Sequence, residues 1–78
     1  MINRTEIVNL VDKELKPEAY SLISKLPLLP IKYEYGNGVK VPLYKKDDVV
    51  KALKARNSRK GSVATLVKIQ ILERINNV

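Results

Sequence analysis

The chain has 78 residues and carries 15 Lys and Arg against 8 Asp and Glu, which gives a formal net charge of +7. A chain of this length forms one small domain, and it leaves no room for the interdomain cleft of a larger enzyme. Cysteine and histidine are both absent, which excludes disulfides, thiolate or imidazole metal sites and the usual nucleophile–histidine pairs. We therefore expect a protein that is not an enzyme and that uses no cofactor and no metal.

The first third of the chain predicts a helix-turn-helix over residues 4–26. Asn3 and Glu6 have the spacing of a capping box at the start of its first helix. A second helix is predicted to begin near Pro17, whose fixed φ suits a first turn, and to end before Pro27. Its apolar side chains recur with helical period and form one stripe, made of Ala19, Leu22, Ile23 and Leu26.

Residues 31–43 change period and predict a β-hairpin. Tyr33 and Tyr35 alternate with charged residues, which is the pattern of a strand that buries one of its faces. Asn37-Gly38 is the strongest short signal for a hairpin turn, because both residues tolerate positive φ. The hairpin is therefore expected to pack one face on the rest of the domain.

Two further helices are predicted over residues 46–56 and 62–76. Asp47 and Asp48 lie where the first turn of a helix favours acids, and Ser62 is a plausible cap for the last helix. Apolar residues surround much of this last helix, which is typical of a helix covered on more than one side. The core side is expected to be that of Val63, Val67 and Ile71. The expected oligomer contact is Leu66, Ile69 and Leu72.

These elements predict a single α+β domain over residues 1–78, in the order helix, helix, β-hairpin, helix, helix. Two strings stand out, Leu26-Pro27-Leu28-Leu29-Pro30 and the run from Leu43-Tyr44 to Asp48-Val49. With the Asn37-Gly38 turn between them, they resemble the winged helix-turn-helix domain of the MerR superfamily, which includes phage excisionase-type proteins. The resemblance covers residues 7–53 and implies a DNA-binding fold with a recognition helix and a wing. The chain departs from the family at two positions of the second helix. Ser21 stands where the family often has Arg, and Glu18 stands where the family has a neutral or basic residue.

The positive charge lies in the middle of the chain, because residues 25–61 hold ten basic residues against Glu34, Asp47 and Asp48. A surface polarised in this way is typical of phosphate binding, and a solvated basic face is the alternative. Three segments supply candidate DNA-binding residues. On the second helix, Tyr20, Ser21, Ser24 and Lys25 are candidates for reading base edges, or form an ordinary exposed face or a protein interface. In the hairpin, the candidates are Lys32, Tyr35, Asn37 and Lys40, whose alternative role is to form and pack the turn. In the loop before the last helix, Lys54, Arg56, Arg59 and Lys60 are candidates for phosphate contacts, or belong to an exposed connector.

Two functional hypotheses follow from this reading. The first is a small cytoplasmic DNA-binding protein, a transcriptional regulator or excisionase of the kind that phages and mobile elements use. It would bind double-stranded DNA as a homodimer or as a cooperative assembly. The second is a winged-helix-like protein-interaction module, such as a small phage regulator that binds and inhibits a cellular enzyme. No signal peptide or bilayer-spanning apolar run is visible, so a membrane partner is not expected.

Overall fold

The computed structural model describes residues 1–77 and combines helices with a two-stranded antiparallel sheet. The helices are α1 (Arg4–Val8), α2 (Lys16–Lys25), α3 (Lys46–Ala55) and α4 (Val63–Arg74), and the strands are β1 (Lys32–Gly36) and β2 (Val39–Leu43). Short 3₁₀ turns at Lys13–Leu15 and Ile75–Asn77 precede α2 and follow α4. The α+β class predicted from the sequence is confirmed.

Local sequence features mark the start of α1, α2 and α4. The Asn3 side chain accepts a hydrogen bond from the Glu6 backbone N–H at 2.8 Å, and the Glu6 carboxylate accepts one from the Asn3 N–H at 3.1 Å. Pro17 lies in the first turn of α2. Ser62 Oγ accepts the N–H of Thr65 at 3.3 Å and caps α4. These contacts satisfy amides that have no partner inside their helices, so both caps predicted from the sequence are confirmed.

One hydrophobic core joins all the helices. The predicted stripe of α2 is buried, and α2 packs on both α1 and α4. Ile2 and Tyr44 lie in the same core and exchange two backbone hydrogen bonds of 2.9 Å, which tie the N-terminal segment to the end of β2. The other helices and the turns after α1 and α4 contribute the remaining core residues Ile7, Val8, Val11, Val49, Leu53, Val67, Ile71 and Ile75.

The hairpin forms where it was predicted but buries much less than expected. Its strands pair from Lys32 with Leu43 to Gly36 with Val39, and the turn has positive φ at Asn37 and Gly38. Every residue of β1 is exposed, so the expectation of a buried face on this strand was wrong. The reason is that only the end of β2, at Leu43, reaches the core, and the hairpin extends beyond the helices without a covering layer.

The orientation of α4 also differs from the expectation. Val67 and Ile71 are buried as predicted, but Ile75 completes their row, while Val63 is 45% exposed. Val63 lies in the first turn, next to the exposed basic loop, and this end of the row lies outside the core. Leu66 and Ile69 are exposed as expected, on the side of the helix opposite the core. Leu72 is half-buried and packs against the core, so it offers only part of its surface to a partner.

A polar cluster fixes the turn before α2 against α4. Gln70 Nε2 donates to Asp12 Oδ2 at 2.9 Å, and the Asp12 N–H donates to Gln70 Oε1 at 2.9 Å. Arg74 Nη1 donates to the Leu10 carbonyl at 2.8 Å and forms an ion pair with Asp12 at 3.3 Å. The hydrogen bond from Gln70 and the contacts with Arg74 lower the pKa of Asp12. Across residues 1–77, every helix is too short or too polar to cross a bilayer.

Candidate nucleic-acid interface

The outer face of α2 presents a row of polar side chains. Tyr20 is 53% exposed, and Ser21, Ser24 and Lys25 are exposed beside it. Burial of the apolar stripe fixes this orientation, because the remaining positions of an amphipathic helix must then face solvent. Ser24 Oγ donates to the Ser21 carbonyl at 2.8 Å, so this hydroxyl already uses its hydrogen within the helix. The row offers hydroxyl, ammonium and phenol groups to a ligand.

A cleft of about 230 Å³ lies between this face of α2 and the loop that follows α3. We call it the α2–loop cleft. It brings Ser21 and Lys25 of the predicted helix face next to Arg56 and Arg59 of the predicted basic loop. The complete lining is Glu18, Ser21, Leu22, Lys25, Arg56, Asn57, Ser58, Arg59 and Ala64. Two segments that are far apart in the sequence thus form one surface.

The α2–loop cleft is predominantly cationic. Lys25, Arg56 and Arg59 contribute positive charge, and Glu18 is the acidic residue in its lining. Within residues 1–77, the carboxylate of Glu18 forms no ion pair with these cations. Cations that are not neutralised by the protein raise the local concentration of anions at a concave surface. The cleft therefore favours an anionic ligand.

The backbone of the basic loop is held in place by α4, which leaves its cationic groups available. Lys68 Nζ donates to the Arg56 carbonyl at 2.7 Å. Thr65 Oγ1 donates to the Arg59 carbonyl at 2.7 Å. A positive φ of 80° at Gly61 then turns the chain into α4. These bonds use main-chain carbonyls and the side chains of α4, and within residues 1–77 the two guanidinium groups form no hydrogen bond or ion pair.

Ser58 stands out within this loop. Its Oγ is buried, and it has no hydrogen-bond partner in the described part of the chain. A buried hydroxyl without a partner is unusual, because leaving one unpaired costs about 1–3 kcal/mol.

The hairpin carries a second set of predicted site residues, namely Lys32, Tyr35, Asn37 and Lys40, and all are exposed. Tyr35 pairs with Lys40 across the strands, and Tyr35 is 74% exposed. Lys40 Nζ also lies 4.0 Å from the centroid of the Tyr33 ring, a cation–π contact. Directly paired residues share a face of the sheet, so Tyr33, Tyr35 and Lys40 form one aromatic and cationic face.

The structure does not bring every predicted residue to the cleft. Lys54 and Lys60 are exposed but lie outside its lining, as do the hairpin residues. Conversely, Glu18 and Asn57 line the cleft although neither was a predicted site residue. Glu18 was detectable from the sequence, because its spacing of three and seven residues from Ser21 and Lys25 places all three on one helix face.

A wider depression of about 410 Å³ lies between the segment after α2 and α3. Its lining is mixed and includes Pro27, Leu28, Leu29, Asp48, Lys51 and Ala52. Leu29 is 82% exposed. No function was predicted for this depression, because its apolar residues belong to the string that ends the second helix.

Among residues 1–77, no three Asp, Glu, His or Cys side chains lie close enough together to hold a metal ion. In comparisons with known proteins, no family model, curated protein or solved structure matched the chain. The functional conclusion therefore depends on the geometry and charge of the α2–loop cleft and of the hairpin.

Proposed function

We propose that this protein is a small winged helix-turn-helix DNA-binding protein, a transcriptional regulator or excisionase of the kind found in phages and mobile elements. The observation that supports it best is the α2–loop cleft, where the exposed face of α2 meets the cations of the loop after α3. A helix with polar residues beside a cationic surface suits the major groove, which is wide enough to admit a helix. The net charge of +7 supports the same conclusion.

Each of the three predicted segments has a distinct role in this proposal. The face of α2 enters the major groove, where Tyr20 and Ser21 face the base edges and Lys25 lies toward the phosphates. Arg56 and Arg59 contact the flanking phosphates and fix the position of α2 on the duplex. The hairpin, with Asn37 at its tip and Lys40 on its exposed face, extends toward an adjacent groove.

Salt dependence of binding tests the proposal. A fluorescence anisotropy titration of random-sequence duplex DNA at several salt concentrations gives the slope of log affinity against log salt. With roughly five cations on phosphates, we expect a slope of about −4 to −5, because each contact releases a condensed counterion. Absence of detectable binding at low salt would reject the DNA-binding function.

A second candidate function is a protein-interaction module that binds and inhibits a cellular enzyme. The observation that favours it is the exposed apolar surface of α4, where Leu66 is 51% and Ile69 is 45% exposed. Exposed apolar patches often mark protein contacts. Glu18 in the α2–loop cleft also opposes a polyanion. If duplex DNA fails to bind at low salt, this second function becomes the better account of the surface.

The same patch on α4 leads us to propose self-association as part of the DNA-binding function. Leu66 and Ile69 of one copy would pack against those of another, either in a free homodimer or between copies bound side by side on DNA. Repeated contacts along a duplex raise affinity through effective concentration, even when the free proteins associate weakly.

A further inference from the structure

We infer that the α2–loop cleft is a dedicated site for one phosphate group, in which Ser58 supplies a hydrogen bond and Glu18 limits the affinity. The inference rests on the proposed function for the source of this group, which we take to be the nucleic-acid backbone. It goes beyond that function because it localises one phosphate to a defined set of side chains and gives opposite roles to two residues.

The charges of the cleft match a phosphate group. Lys25, Arg56 and Arg59 line it, and residues 1–77 provide no ion pair between these cations and Glu18. Arginine presents donors in a planar fork that matches phosphate oxygens, and such charge-assisted bonds are stronger than neutral ones. The volume of about 230 Å³ is ample for a phosphate but far too small for a duplex. A backbone phosphate that projects into the cleft fits both facts.

Ser58 provides an observation independent of the charges. Its residue lines the cleft, while its buried Oγ has no hydrogen-bond partner in the described part of the chain. Serine has three staggered χ1 rotamers, and we infer that a rotation about χ1 would turn the hydroxyl toward a ligand in the cleft. A phosphate oxygen would accept its hydrogen. The ligand would then satisfy a group that the protein alone leaves unpaired.

The start of α4 adds to the positive electrostatic potential of the cleft. Ala64, its second residue, lines the cleft. The first amides of a helix lack partners inside the helix and carry partial positive charge, which favours an anion nearby. This contribution supplements the cations of the cleft.

Glu18 has the opposite effect. Its carboxylate shares the lining with the cations, so a bound phosphate would place two negative groups close together. Glu18 lies in the first turn of α2, where the helix favours an acid, and this makes its presence compatible with stability. We therefore assign Glu18 the role of weakening a contact that is independent of DNA sequence. Such weakening increases the share of specificity that comes from base contacts.

Matched variants test these two roles by anisotropy with random-sequence duplex DNA. Ser58→Ala should weaken binding by roughly threefold to tenfold, the value of one hydrogen bond. Glu18→Gln should tighten binding by about the same factor, equally on duplexes of different sequence. Thr5→Ala and Glu14→Gln remove an exposed hydroxyl and an exposed carboxylate outside the cleft and should change affinity less than about twofold.

Thermal unfolding separates a binding role of Ser58 from a structural one. Because its buried hydroxyl is unpaired, Ser58→Ala should melt at or above the temperature of the parent while binding DNA more weakly. Unchanged binding in both Ser58→Ala and Glu18→Gln would overturn the inference and leave DNA binding intact. Sequence-dependent changes in Glu18→Gln would overturn its assigned role and make it a base-reading residue.

Titrations with different phosphate-containing ligands identify the source of the phosphate. In NMR titrations of the parent, duplex DNA should shift the amide signals of Ser58 and Ala64, and inorganic phosphate at millimolar concentration should shift the same signals. If duplex DNA does not bind, the proposed function fails, and a shift by inorganic phosphate alone would still support the site. If a nucleoside monophosphate binds more tightly than duplex DNA, the nucleic-acid source is wrong. If neither DNA nor phosphate shifts these signals, the site itself is rejected.

Discussion

At Gly38 the hairpin turn depends on a backbone conformation that side chains resist. Its φ is +74°, and no atom beyond the two neighbouring residues lies within 4 Å of the position that a Cβ would occupy. Gly38→Val should therefore cost about 1 kcal/mol or more through backbone strain alone, since a β-branched residue strongly disfavours positive φ. Hydrogen exchange of the β1–β2 amides would measure this loss directly, because the hairpin can open without unfolding the core.

Gly36 provides the matched control for this substitution. It also has open space around its Cβ position, but it pairs with Val39 in the ladder and lacks a positive φ. Gly36→Ala should therefore leave the exchange of the β1–β2 amides unchanged or slightly slower, because alanine restricts the unfolded chain. Equal exchange in Gly38→Val and the parent would contradict the strain argument.

Asp12 gives stability a dependence on pH with a definite sign. Hydrogen bonds from Gln70 and contacts with Arg74 lower its pKa in the folded protein. The ionised form is thus favoured by folding, so its contribution is complete at neutral pH and is lost as pH falls below about 4, through the lowered pKa. In urea unfolding, Asp12→Asn should be less stable than the parent at pH 7, and the difference should shrink at pH 3.

Glu14 is the control for this comparison, because it is exposed and has no hydrogen-bond partner within residues 1–77. Glu14→Gln should have the same stability to urea as the parent at both pH values. A difference between Asp12→Asn and the parent that grows as pH falls would have the wrong sign and would reject the argument.

At the scale of elements, local sequence chemistry predicted most of the fold. Asn3 with Glu6, Ser62 with Thr65 and the Asn37-Gly38 turn each involve residues that are close in the chain, so their geometry follows from their types. The apolar stripe of α2 was predictable because helical period identifies the buried face. These signals do not show which other element covers a given face.

The predictions that were wrong, and the contacts that were not predicted, depend on which element covers a given face. Tyr33 and Tyr35 alternate like residues of a half-buried strand, yet no layer covers β1. The contact between Asp12 and Gln70 spans 58 residues, and nothing local in the sequence indicates it. For the candidate site, the residue types and charge of Lys25 and Arg59 were visible in the sequence. Their meeting in one cleft required the packing of α2 beside the start of α4.

The two sides of α4 should respond differently to the same substitution. Ile69 is 45% exposed, whereas Ile71 is fully buried. Ile69→Asp should leave thermal stability nearly unchanged, because the carboxylate stays in water. Ile71→Asp should unfold the protein, because a buried charge without a partner costs several kcal/mol. Circular dichroism melting curves distinguish the two, and unfolding of Ile69→Asp would place that residue in the core.

At the scale of the whole molecule, this substitution also tests self-association. A stable dimer usually buries about 800 Å² on each partner, and Leu66 with Ile69 offers only a small patch on one helix. We therefore expect weak association of the free protein by sedimentation equilibrium at high micromolar concentration, and cooperative binding on long duplexes. Ile69→Asp should abolish both. A parent that stays monomeric and binds DNA without cooperativity would exclude this use of α4.

The bridge between Ile2 and Tyr44 has a consequence for how the chain reaches its native state. Ile2 is fully buried, and its pairing encloses α1, α2 and the hairpin within one loop of the chain. Helices as short as α1 and α2 do not persist alone in water, and their packing partners include Val67 and Ile71 of α4 and Ile75 of the turn after it. A growing chain therefore gains little stable structure until α4 and the turn after it have been synthesised. Folding is then a late, all-or-none event, and a chain cut within α4 loses the whole domain instead of one element.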